Sequence, residues 1–334
     1  MPLVTSATYQ SPPFLANGHV QTCLPTLIRR VKPVRYQRQH IPTPDGDFLH
    51  LDWAKTGSRK LAVLAHGLEG SSRSHYIQGL VHALHREGWD AVAWNARGCG
   101  GELVKVLRFT HSGSSDDLQT VLSHLTKPEH DYDQIALIGF SLGGNLSLKY
   151  LGERGSEVDP RIVGAVAFSV PCDLHSSSME LGRTLANQIY MRNFLASLHQ
   201  KIRRLMIQMP GAIHDDDYDQ IRTFKQFDDR YTAPIHGFKD AEDYWHQSSS
   251  RPYLSRIRVP ALLVNARNDP FLADECFPVE EAQANPHFFL EVPSSGGHVG
   301  FLEFNRLGEY WSERRAVEFL SACSLTHGAL PVEF

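Results

Sequence analysis

Two rhythms of apolar and polar positions run along the chain. Residues 36–41 and 48–53 are strand-like and flank Pro44-Asp45-Gly46, a turn sequence with glycine where a positive φ is needed. They predict an antiparallel hairpin. Beyond it, short apolar runs alternate with helical stripes. The run 61–65 precedes Ile77, Leu80, Val81 and Leu84, spaced i, i+3, i+4, i+7. The run 91–94 precedes a stripe of Leu118, Val121, Leu122 and Leu125, capped near Ser115. Residues 135–139 predict a strand, 142–151 a helix and 162–170 a further strand. Such alternation builds crossover units and a mainly parallel sheet, an α/β architecture.

The rhythm breaks over 172–255, where helical patterns (181–195, then 194–206) and polar loops replace any buried strand. It resumes with a strand over 259–265, a short helix near 279–284, a last strand over 288–292 and a closing helix over 307–322. A non-sheet excursion of about 80 residues between two sheet strands predicts a helical cap or lid on a single domain spanning 1–334. Residues 1–34, with Pro12, Pro13, Pro25 and Pro33, predict an irregular arm. Its basic cluster (Arg29, Arg30, Lys32, Arg35) with Leu24, Leu27 and Ile28 is compatible with weak peripheral contact with a membrane. A block this short more often packs on its own domain.

Composition narrows the chemistry. The 334 residues are 42% hydrophobic and 21% charged, which fits an ordinary globular chain and removes the disordered and fibrous classes. A net charge of −4 offers no field for nucleic acid. No apolar run approaches the roughly 18 residues a membrane span needs, and residues 1–30 lack the pattern of a signal peptide. Five widely spaced cysteines without C-x-x-C indicate neither a disulfide framework nor a zinc ribbon and suit a reducing, cytoplasmic setting. The 18 histidines show no metal-ligand spacing.

The strongest chemical signal is Gly139-Phe140-Ser141-Leu142-Gly143, between a predicted strand and a predicted helix. In that context G-x-S-x-G is a nucleophile elbow, with the serine on a strained turn and glycines where side chains would block strand, helix and substrate. A serine nucleophile needs a base and the base an acid, in the order Ser…Asp/Glu…His for this architecture. His298, in Gly296-Gly297-His298-Val299-Gly300 just after the last strand, is the candidate base. Asp269, in Asn268-Asp269-Pro270 at the end of the penultimate strand, is favoured as acid over its rival Asp173. Backbone N–H groups of Leu142 and of Leu68, in His66-Gly67-Leu68-Glu69-Gly70, are the expected oxyanion donors. H-x4-D occurs four times, His111…Asp116 among them, and discriminates nothing. Asp215, Asp217 and Asp219 mimic a calcium loop, but Gln220 and Gln226 stand where glycine and the bidentate Glu belong, so the stretch is expected to be a solvated cap loop.

Together these residues resemble the α/β-hydrolase superfamily, and more narrowly its YheT-like branch, which includes acylglycerol and medium-chain ester hydrolases of the ABHD type. The resemblance covers nearly the whole chain. Its further carriers are Asn17-Gly18-His19-Val20-Gln21-Thr22, Pro44-Asp45-Gly46-Asp47, Asn95-Ala96-Arg97-Gly98-Cys99-Gly100-Gly101 and Phe227-Asp228-Asp229-Arg230-Tyr231-Thr232-Ala233-Pro234. It implies an eight-stranded sheet with one antiparallel strand, a helical cap over the serine, and no metal or organic cofactor. It also implies Ser141, Asp269 and His298 as catalytic residues, and hydrolysis of short- to medium-chain acyl esters. Cys99 falls in the family's turn, so it is not expected to be a second nucleophile. An acyltransferase, a thioesterase or an amidase would use the same groups, and a catalytically idle binding module would keep the same fold. Oligomeric state and physiological substrate are not written in these motifs.

Overall fold

The computed structural model describes residues 3–4 and 8–326. His327, close to the end of the sequence, lies outside the described residues. The strands are β1 (Leu3–Val4), β2 (Gln37–Pro42), β3 (Phe48–Ala54), β4 (Lys60–Ala65), β5 (Asp90–Asn95), β6 (Gln134–Phe140), β7 (Ile162–Phe168), β8 (Ala261–Val264) and β9 (Phe288–Glu291). They form one sheet in the order β1-β9-β8-β7-β6-β4-β5-β3-β2, parallel except that β3 runs antiparallel to both β2 and β5. Among the described residues the sheet therefore has nine strands rather than eight. The extra one is β1, whose Leu3 and Val4 pair parallel with Leu290 and Glu291. A two-residue strand carries no periodicity, so only its tertiary partner defines it.

The helices are α1 (Gly18–Ile28), α2 (His75–Arg86), α3 (Ser115–Leu125), α4 (Leu142–Arg154), α5 (Leu174–Arg183), α6 (Leu185–Gln208), α7 (Phe224–Phe227), α8 (Ala233–His236), α9 (Ala241–Ser248), α10 (Val279–Ala284) and α11 (Trp311–Leu325). One apolar core packs α2 and α11 on one face of the sheet; another packs α3, α4 and α10 on the opposite face. Strand β5 is buried along its whole length, because helices cover both sides of a parallel sheet. Arg97, buried just after β5, binds Asp47 of the hairpin turn at 3.1 Å and Asp117 of α3 at 2.8 Å, which explains why charged residues stand in these motifs. Residues between β7 and β8 form helices α5–α9 and contain no strand among the described residues. Their apolar side chains make a separate cluster with Leu68 and Phe271. No helix of the described residues is long and apolar enough to cross a membrane.

Two local expectations change. The arm is not irregular throughout, because Gly18–Ile28 is helical despite Pro25 within it. Asn17 caps the helix by accepting from the N–H groups of His19 and Val20, and fully buried Gln21 anchors it to the rest of the domain. Tertiary packing here outweighs the proline's cost. Second, the apolar pattern over 181–195 is split at Thr184, which turns extended and caps α6 through the N–H of Asn187.

Candidate active site

Ser141 sits between β6 and α4 with φ 52° and ψ −119°, a conformation that L-residues rarely hold and that costs about 1–3 kcal/mol. The turn closes because its flanks are glycine. A Cβ at Gly139 would overlap the carbonyl of Gly143, and a Cβ at Gly143 would overlap the carbonyl of Ala65. The result is a serine at the first turn of α4, where unpaired N–H groups face outward.

His298 and Asp269 arrive from the loops after β9 and β8. His298 Nε2 lies 3.0 Å from Ser141 Oγ, and His298 Nδ1 lies 2.9 Å from Asp269 Oδ2. The Asp269 side chain is fully buried, and its Oδ1 also accepts the N–H of Phe271 at 2.9 Å. Phe271 packs its ring 4.1 Å from the imidazole centroid. With the carboxylate at Nδ1, the imidazole carries its proton there and leaves Nε2 to accept from the serine. Asp173, the rival acid, is occupied elsewhere: it caps α5 by accepting from the N–H of Ser176.

The loop after β4 comes close to the serine, since a Cβ at Gly67 would lie 3.2 Å from Ser141 Cβ. Burial lowers the pKa of His66 to about 4, so this ring is neutral. Its Nε2 accepts the N–H of Ala96, which puts the ring proton on Nδ1, where it donates to the carbonyl of Gly67. Tyr76 accepts the Gly67 N–H from the other side. Gly67, the residue before Leu68, is thus held at both its N–H and its carbonyl, and Leu68 and Leu142 line one cavity with Ser141 and His298.

That cavity, about 120 Å³, is largely apolar and lies between the sheet and helices α5–α9. Leu174, Leu181, Phe194, Leu198, Phe224 and Trp245 supply its walls from the insertion. A single π-helical turn, Asp228–Thr232, brings Asp228 and Thr232 to it as well. Burial raises the Asp228 carboxyl to about 7, although the Thr232 hydroxyl (2.6 Å) and Trp245 Nε1–H (2.8 Å) both donate to it. His111 also lines the cavity. It is buried, its Nδ1 accepts the Gly113 N–H, and desolvation holds it neutral.

Several supporting residues carry no chemical signature of their own. Thr22 of α1 accepts the backbone N–H of His298 at 2.9 Å, Gln21 accepts that of Leu302, and Ser169 accepts that of Val299. Asn187 of α6 donates to the carbonyl of Pro270, tying the insertion to the Asp269 loop. Gln21 and Thr22 stand in the Asn17–Thr22 motif, which was the available hint. Asp215, in the loop expected to be solvated, pairs with His199 and Arg203.

Residues 62–304 match the α/β hydrolase fold family. The chain is 35% identical to the YheT protein of Escherichia coli, over 92% of this chain and 91% of that one. It is 31% identical to human phospholipase ABHD3, over 90% of this chain and 75% of that one. An esterase from Pyrococcus furiosus shares the fold with a TM-score of 0.57 at 21% identity, over 86% of this chain and 91% of that one.

Proposed function

Because the chain belongs to the α/β-hydrolase family, in the branch that holds YheT and ABHD3, and is a hydrolase of the esterase or lipase type, we propose that it cleaves carboxylic esters of short to medium acyl chains through an acyl-enzyme on Ser141. The observation that carries this reading is the unbroken line Ser141 Oγ, His298 Nε2, His298 Nδ1, Asp269 Oδ2 at the wall of an apolar cavity.

In the proposed reaction Ser141 Oγ attacks the ester carbonyl carbon while His298 Nε2 takes its proton. Negative charge moves to the carbonyl oxygen, which the N–H groups of Leu68 and Leu142 stabilise, each such donor contributing about 2.7–4 kcal/mol. Collapse breaks the C–O bond, and His298 returns the proton to the departing alcohol. Water then attacks the acyl-enzyme, giving its proton to His298, and the acid leaves as Ser141 is reprotonated. Asp269 orients the imidazole and stabilises its charged form without taking a proton. Helices α5–α9 act in this reading as the cap that shapes the acyl site, and none of the steps calls on a metal or organic cofactor. The odd count and wide spacing of the cysteines support a cytoplasmic setting.

The test is hydrolysis of p-nitrophenyl esters from acetate to palmitate, with Ser141→Ala beside the wild type. Turnover is expected to peak on short or medium chains and to fall by at least about 10³-fold in the variant, with an unchanged melting temperature. A variant that keeps wild-type turnover, or a wild type inactive on every ester, refutes the proposal.

A further inference from the structure

Away from the cavity, the β2 edge of the sheet gathers ligating side chains from three segments. His40 on β2 and His50 on β3 are register partners, so both rings leave the same face of the ribbon side by side. Their centroids are 4.5 Å apart and the rings meet edge to face. Glu102, in the loop that follows β5, reaches over both. One of its carboxylate oxygens lies 3.2 Å from Nε2 of His40 and 3.2 Å from Nε2 of His50.

These contacts are not well-aligned hydrogen bonds. The His50 side chain is only 5% exposed, and its Nε2 is buried without a hydrogen-bond partner. The Glu102 oxygen is near enough to that nitrogen but off the direction in which its proton or lone pair points. A shared cation accounts for both facts. Bonds of about 2.0–2.2 Å from one tetrahedral ion to nitrogen and oxygen put neighbouring donors roughly 3.3 Å apart, each off the axis of the other's bond.

We infer that His40, His50 and Glu102 form a binding site for a zinc-class divalent cation, with two imidazole nitrogens and one carboxylate oxygen as protein ligands and water in the remaining position. His40 and Glu102 side chains are 48% and 52% exposed, which leaves that position open and provides the entry path. Imidazole donors select zinc, nickel or copper over magnesium and calcium, which favour all-oxygen sites. The nearby cation, Arg38, is neutralised by Asp52 through two contacts of 2.7 Å. Gly100 permits the arrangement, because a Cβ there would overlap the His50 ring and push the loop, and Glu102 with it, off the sheet edge. A bound ion would clip this loop to the edge hairpin. The same loop holds Cys99, 3.5 Å from Lys201 of α6, which in turn pairs with Glu69 beside Leu68.

The experiment uses the full chain without an affinity tag, stripped with EDTA and titrated with Co²⁺. One equivalent is expected to give the visible absorption bands of four-coordinate cobalt, which Zn²⁺ removes and Mg²⁺ does not. His40→Ala and Glu102→Gln alter exposed side chains, and each is expected to weaken binding at least about tenfold. Their metal-free melting temperatures should stay at the wild-type value. A second histidine pair, His124 and His130, with Nε2 atoms 3.1 Å apart, is the control. Absence of the bands, identical titrations of wild type and His40→Ala, or binding lost instead in His124→Ala would each overturn the assignment.

Discussion

The carboxyl-terminal edge of the sheet and the helical segment between β7 and β8 face the same cavity but are built by opposite rules. On the sheet side, backbone geometry places the chemistry. Ser141 is held at φ 52°, Val299 at φ 58° beside His298, and the His298 loop is stitched by backbone N–H groups to Thr22 and Ser169. On the helical side the contribution is bulk: leucines, phenylalanines and Trp245 pack a wall whose polar points are few and buried. Such a wall can change side chains without disturbing the reacting groups, whereas the sheet side has little freedom. In the proposed reaction, chemistry therefore falls to the sheet side and substrate choice to the helical side of one chain.

The sharpest way to break this division is through the acid. Asp269→Asn is expected to lower kcat on the best p-nitrophenyl ester by about 10³–10⁴-fold, because the imidazole loses its fixed tautomer. Asp173→Asn, which keeps an N-cap residue on α5, is expected to stay within about threefold of wild type. If Asp173→Asn proves the crippling change, the assignment of the sheet-side chemistry fails.

A smaller effect tests the helical side. Leu198→Trp fills cavity space from α6 and should cut turnover of long-chain esters by about tenfold relative to acetate, an effect comparable to a misfit of one or two methylenes. An equal loss on acetate and on long chains would mean that the insertion also positions the reacting groups.

The last expected effect is on stability rather than rate. Asp228 titrates near 7 when folded, against 3.8 for an ordinary aspartate. Between about pH 4 and 7 the folded chain keeps a proton that the unfolded chain has released, so stability falls as pH rises through that window. Asp228→Asn removes this titration. Denaturation midpoints at pH 5 and pH 8 should therefore show the wild type losing on the order of a few kcal/mol relative to the variant. Parallel pH profiles would place the Asp228 carboxylate in a more polar setting than its burial implies.

The sheet-side residues were legible in sequence because their chemistry forces rare local patterns. G-x-S-x-G must appear where a strained serine turn packs against two backbones, and Gly-Gly-His must appear where a loop turns back sharply. Helix α1 was not legible, since Pro25 and its proline-rich flanks argue locally against a helix. Nor was the π-helical turn at Asp228–Thr232, although the Phe227–Pro234 motif marked its position. The break at Thr184 was hidden because an apolar stripe of helical period runs through it without interruption.

The sequence alone determined the succession of strands and helices along the chain between the N-terminal arm and the insertion and again after it, the place of the insertion, and the candidate nucleophile, acid and base. These depend on short-range constraints: periodicity, turn chemistry and the glycines that a tight turn demands. Only the tertiary structure decided that Leu3–Val4 completes the sheet and that Thr22 and Gln21 brace the His298 loop. It alone brought His40, His50 and Glu102 together. Each of these is a contact between segments distant in the chain, set by how packed elements meet, and no local pattern records it.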